Sequence, residues 1–222
     1  MNRIFYAITA LALTTGCHGK YKRNADALGK VSVVVRAPTS PEVMVGSPMV
    51  SMDTGEEKTG AEQAQSAAEV GMHVASVVLG QKAQKKLNKA VTSKEARDAL
   101  KVAFMADVDS QPLPYTVGEK GKARLTIEIT DFGLDATSGQ PSAFVRTRTT
   151  IHNRKGERVY RATETCSRTL GPGMDIPLSS VDELVAVKQL ADLSPKRMEK
   201  VVTAVVQQCA EEVSHELVTH LR

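Results

Sequence analysis

Three cysteines offer the most distinctive chemistry in this 222-residue chain: Cys17, Cys166 and Cys209. Cys17 stands among small residues at the end of a short apolar run, whereas Cys166 and Cys209 lie far downstream as an even pair. In an exported chain such a pair can close a disulfide. Cys166 falls in a strand-like stretch at alternating positions with Tyr160 and Ala162, and Cys209 lies on the apolar face of the last helix, so both can point into one core. A structural bridge, typically contributing 2 to 4 kcal/mol, is the expected state. Two buried thiols packing as small hydrophobes are the alternative. The second group is Arg124, Arg146 and Arg148, which alternation places on the exposed face of a sheet, with Arg161 beside them and Glu128 opposing. The third is Glu211, Glu212, His215, Glu216 and His220, where i, i+4 spacing gives shared helix faces. A metal site there would need ligands from elsewhere in the chain, and a solvated helix end is the plainer reading, so no metal is expected.

No Gly-x-Ser-x-Gly elbow, P-loop, zinc-type cysteine pair or EF-hand loop occurs. Neither a catalytic residue nor a cofactor is expected, and a hydrolase with an unfamiliar site ranks last among the functions considered. The formal charge of +4 is mild, and no Lys/Arg-rich run is present. That balance argues against nucleic acid as a partner. The absence of Trp and the few aromatics disfavour a stacked-ring carbohydrate platform, although Tyr115 and Phe144 remain available for one.

The chain opens Met1-Asn2-Arg3, continues Ile4-Phe5-Tyr6-Ala7-Ile8-Thr9-Ala10-Leu11-Ala12-Leu13 and closes on Thr14-Thr15-Gly16-Cys17. One positive charge, a short apolar core and small residues make the layout of a secretory signal, too short for a membrane span. The end of this run resembles the lipobox of bacterial lipoproteins, in which diacylglycerol is attached to the cysteine thiol and the leader is cut away before it. Gly16 and Thr15 fit the pattern; Thr14 stands where Leu is preferred, with Leu13 one place further back. Cleavage after Ala10-Leu11-Ala12, releasing a soluble periplasmic protein, is the competing expectation. The resemblance implies lipidation at Cys17, and His18 in place of Asp implies sorting to the outer membrane, facing the periplasm. For an envelope protein, the arginine face could meet anionic lipid or lipopolysaccharide phosphates, since guanidinium forks suit phosphate geometry. Charge pairing across strands on a solvated face is the plainer reading.

The elements that must position these residues follow from patterning. Residues 1–16 are expected to be a removed signal and 17–29 a lipidated tether. Residues 30–222 are expected to form a single domain with a mobile loop near 38–60, where Pro38, Pro41, Gly46 and Pro48 break regular structure. Val31, Val33, Val34 and Val35 mark a first strand. From Ala61 to Ala90 the pattern is helical and rich in small residues, with rows Gly60, Ala64, Ala68 and Ala67, Gly71, Ala75. A tightly packed soluble helix is expected there in preference to a self-association seam. Thr92-Ser93-Lys94-Glu95 has capping-box spacing ahead of a helix to about Asp107. Ala123 to Thr130 alternates cleanly, and Ala143–His152 and Glu157–Thr169 read as a hairpin turning at Asn153-Arg154-Lys155-Gly156. Ser180 opens a short helix, and Ser194 with Pro195 starts the last one, striped by Met198, Val201, Val202, Val205, Cys209, Val213, Leu217 and Leu221. The expected class is α+β, a small antiparallel sheet of about four strands covered on one face by helices and closed by a long C-terminal helix.

This order of elements is similar to the small α+β domain of several envelope lipoproteins, among them the lipopolysaccharide-assembly lipoproteins and the auxiliary lipoproteins of ABC transport systems. The stretch from Ala123 to Phe132, followed by the hairpin around Gly156, carries the resemblance over about half the chain. It transfers no functional residue. It implies a non-enzymatic accessory, assembly or binding component of an envelope machine, held by its lipid and engaging an envelope protein or a lipid-like ligand. A surface-displayed adhesion or motility lipoprotein is the alternative, and a soluble periplasmic binding protein the third reading.

Overall fold

The computed structural model describes residues 19–46, 60–170 and 180–221, with backbone alone for 60–70, 72, 73 and 180–182. Residues 1–18, including Cys17, lie outside that set, as do 47–59 and Gly171-Pro172-Gly173.

Among the described residues there are five helices and six strands. Helix α1 covers residues 19–28. Strand β1 (Lys30–Arg36) and β2 (Glu42–Met44) precede helix α2 (Gly60–Ala90) and helix α3 (Ser93–Val108). Then come β3 (Thr116–Gly118), β4 (Ala123–Asp135), β5 (Ser142–His152) and β6 (Arg158–Thr169), followed by α4 (Ser180–Asp192) and α5 (Pro195–Thr219). The α+β class and the long last helix match the sequence pattern.

The sheet is larger than expected and mixed. Its order is β3-β1-β4-β5-β6, with β2 also on β4. Only β4, β5 and β6 form the antiparallel run; β1 is parallel to β3 and β4, and β2 is parallel to β4 further along. Parallel pairing of β1 requires a long crossover, and α2 and α3 supply it. A bulge between Ile129 and Asp131 adds one residue, so that Ile129 and Phe132 both face the helices despite odd spacing. Within the segment expected to be a mobile loop, Glu42–Met44 is a strand. It fits because Gly133 opposes it: a Cβ there would run into the Glu42 carbonyl. From α2, Gln84 then satisfies the strand's backbone, its Oε1 accepting from Val43 N–H at 2.7 Å and its Nε2 donating to Pro41 O at 2.8 Å.

Residues 19–28 also depart from expectation. The segment read as a tether is a helix, because Tyr21, Ala25 and Leu28 recur at helical spacing and all three are buried.

One face of the sheet, Val31, Val33, Val35, Leu125, Ile127, Ile129, Val145 and Ile151 among its residues, is sealed by helices. α5 crosses β5 and β6 with α3 beside it; α2 covers β2 and also meets α5, and α4 packs on α2. Lys86 of α2 donates to the carbonyls of Ala191 and Leu193, at 2.6 and 3.1 Å, satisfying orphan acceptors where α4 ends. The capping box forms as the spacing predicts: Thr92 Oγ1 accepts from Glu95 N–H at 3.2 Å, and Glu95 Oε2 accepts from Thr92 N–H at 2.8 Å. The outward row of α2 is not packed: Gly71 is open, and Val74 and Val78 are 56% and 58% exposed.

Candidate functional site

The arginine face forms by strand register. Arg124 stands opposite His152, Arg148 opposite Glu128 and Arg146 opposite Asp131, all directed away from the helices. Arg161 joins this face opposite Thr150, and Arg36 of β1 lies beside Glu128. Two of the arginines are ion-paired, Arg146 Nη1 to Asp131 Oδ2 at 3.3 Å and Arg148 Nη1 to Glu128 Oε2 at 3.5 Å. Exposed pairs of this kind contribute only about 0 to 1 kcal/mol each. Their larger effect is to hold guanidinium groups upright over a face otherwise rich in threonine. A shallow cavity of about 320 Å³ opens on this face, with Phe144 forming its floor and Arg146, Asp135, Ser142 and Ser167 around it. Phe144 is only 5% exposed, so it does not present a ring for stacking.

Cys166 and Cys209 are joined, their Cα atoms 5.5 Å apart, tying β6 to α5. Both are buried, so the bridge is a staple within the core. The acid and histidine cluster of α5 is divided by the fold. Glu211 and His215 are exposed, whereas Glu212, Glu216 and His220 turn toward β6. Among the described residues no group of three His, Cys, Asp or Glu is placed to hold a metal.

A cluster that sequence reading missed gathers three of the four tyrosines. Tyr21 of α1 lies with its ring centroid 4.7 Å from Tyr160 of β6 and 6.4 Å from Tyr115. Its hydroxyl is 2.5 Å from that of Tyr115. Tyr160 Oη is 2.9 Å from His220 Nδ1, and His220 Nε2 is 3.3 Å from Glu216 Oε2. Tyr160 Oη and His220 Nδ1 share a hydrogen bond whose direction follows the imidazole tautomer, while the Glu216 carboxylate stands at ion-pair distance without accepting a hydrogen bond at Oε2 among the described residues. Burial drives the Tyr115 phenol up to about 12, and burial drives Tyr21 and Tyr160 higher still. All three therefore keep their protons at physiological pH and act as hydrogen-bonding groups, not as bases or nucleophiles. With Tyr21 0% and Tyr160 1% exposed, no substrate reaches them. The cluster fastens α1 to the far end of α5, and only sequence-distant contacts create it.

No family model and no curated protein sequence matches the chain. Among solved structures, protein XCC0632 from Xanthomonas campestris, of the DUF330 family, is similar at 11% identity and a TM-score of 0.43, over 87% of this chain and 85% of that one. The protein CT253 from Chlamydia trachomatis is similar at 11% identity and a TM-score of 0.31, over 86% and 98%. Lipoprotein GNA1162 from Neisseria meningitidis is similar at 15% identity and a TM-score of 0.25, over 74% and 99%. None of these likenesses carries the functional reading, which rests on this chain's own residues. Among the described residues no helix is long and apolar enough to cross a membrane.

Proposed function

We propose that this protein is a bacterial envelope lipoprotein, anchored through Cys17 in the outer membrane facing the periplasm, and that it serves there as a non-enzymatic accessory or binding component of an envelope machine. The observation that carries this reading is the Leu13-Thr14-Thr15-Gly16-Cys17 sequence closing a short apolar run, two residues before α1. α1 is packed into the core, and two residues of chain reach at most about 7 Å. The lipid would thus hold the domain against the bilayer, with no long tether between them.

The end of the molecule that would meet the headgroups supports the same reading. The start of β1, the β3–β4 connection and the β5–β6 turn lie together there by register, and the Arg154 guanidinium rests against Gly29 at the end of α1. Lys20, Lys22, Arg23, Lys30, Lys120, Lys122, Arg154 and Lys155 are all exposed around this end, with Asp26, Glu119 and Glu157 as its carboxylates. A cationic surface beside the anchor suits an anionic leaflet. The test is metabolic labelling with a clickable palmitate in wild type and Cys17→Ala, followed by membrane fractionation and crosslinked pull-down. Label present only in wild type, with an envelope protein captured, supports the proposal. An unlabelled wild type that fractionates as soluble periplasmic protein overturns it.

A further inference from the structure

At the opposite end of the sheet, a cavity of about 580 Å³ lies between the last residues of β6 and the first turns of α5. Four cations converge on it, Arg168, Lys196, Arg197 and Lys200, and among the described residues no carboxylate lines it. None of the four has an ion-pair partner among the described residues. By contrast, Arg146 and Arg148 of the sheet face are paired with Asp131 and Glu128. Like charges crowded at one opening repel, and a ligand that supplies negative charge there relieves that repulsion. The helix start adds to this. α5 has no acidic residue in its first turn, so the positive end of its dipole faces the cavity, although Pro195 lacks an N–H and Ser194 Oγ already accepts from Arg197 N–H. The floor is different in kind: Leu170, Val201 and Ala204 are apolar. A bare inorganic ion would leave that surface wet, whereas an acyl stem would cover it.

We infer that this cavity binds a phosphate group carrying an apolar chain, with Arg168 and Lys200 as its principal charge contacts. Arginine forks and lysine ammonium groups both suit phosphate oxygens. The inference rests on the binding role proposed above and gives it a chemical class of ligand, but the cavity belongs to the folded domain and does not depend on the anchor. Failure of palmitate labelling would therefore leave it standing.

The experiment titrates the full-length protein, held in amphipol, with dihexanoyl phosphatidic acid and dihexanoyl phosphatidylcholine, both below their micelle-forming concentrations, and with inorganic phosphate, by isothermal calorimetry. The expected result is phosphatidic acid binding at least tenfold more tightly than either of the others and weakening as salt rises. Arg168→Glu with Lys200→Glu should lose at least tenfold in affinity, and Lys188→Glu on the exposed side of α4 should lose nothing. Should the double variant fail to fold, Arg168→Gln and Lys200→Gln separately serve the same purpose. Equal binding of the two lipids overturns the charge requirement, inorganic phosphate binding as well as phosphatidic acid overturns the apolar stem, and unchanged affinity in folded variants overturns the location.

Discussion

The Tyr21 and Tyr115 hydroxyls are each other's partner inside the protein, so deleting one strands the other. A buried hydroxyl left without a partner costs about 1 to 3 kcal/mol, whereas removing both can be nearly neutral. Tyr21→Phe and Tyr115→Phe should each lower the unfolding free energy by about that amount, and the double variant by less than their sum. Urea unfolding in a double-mutant cycle checks this. Glu164 provides a second prediction. Burial first, then the nearby Glu216 and Glu212 carboxylates, push its pKa from 4.5 up to about 6. An acid whose folded pKa is raised favours the fold while neutral: its contribution is full below pH 4.5 and is lost as pH rises through 6. The shift corresponds to at most about 2 kcal/mol, and because the side chain is only half-buried we expect less than 1 kcal/mol. Glu164→Gln should accordingly flatten the decline in stability between pH 4.5 and 7 and leave the protein more stable than wild type at pH 8, as read by urea midpoints across that range. None of this was legible in the sequence. Tyr21 and Tyr115 are 94 residues apart, and no local pattern announces a hydroxyl pair.

Elements whose signals are local were legible, and those made by distant pairing were not. The alternation of β4, the Asn153 to Gly156 turn, the Thr92 capping box and the Ser194-Pro195 helix start all depend on neighbours within a few positions, and each forms as read. By contrast β2 and β3 are three residues long and exist because β4 and β1 offer them edges. Too short to show alternation, they give the sequence no period to display. The α1 stripe was present, but its few buried positions among lysines and glycines were read as a tether. The mixed sheet followed from the same gap, since parallel pairing of β1 is a property of the crossover and not of β1 itself. Two predictions belong to this scale. The Cys166–Cys209 bridge closes a separation of 43 residues, for which loop entropy gives about 4 kcal/mol. Cys166→Ala with Cys209→Ala should lower the unfolding free energy by about 2 to 4 kcal/mol, as should reduction in denaturant titrations. Thr92→Ala removes a cap and should cost about 1 kcal/mol, measured the same way.

For the whole molecule, charge is distributed toward the two ends of the sheet, and the end beside α1 is the one the proposed anchor would press to the bilayer. Each Lys or Arg near an anionic surface contributes about 1 kcal/mol of attraction. Lys20→Gln, Lys22→Gln and Arg23→Gln together should weaken binding of Cys17→Ala protein to phosphatidylglycerol vesicles about a hundredfold, and wild-type charge should show steep salt dependence in vesicle sedimentation. Unchanged binding would place the contact elsewhere. A different consequence comes from the tyrosine junction. Tyr21 rests on Tyr160, and Tyr160 on His220, so the first helix docks on a strand and a helix made near the end of synthesis. Such long-range contacts form late, because loop closure must precede them. A chain emerging from an export channel would therefore keep its leading segment undocked until almost everything behind it had crossed. Under the anchor proposed above, chain order alone would leave time for Cys17 to be acylated before the first helix docks.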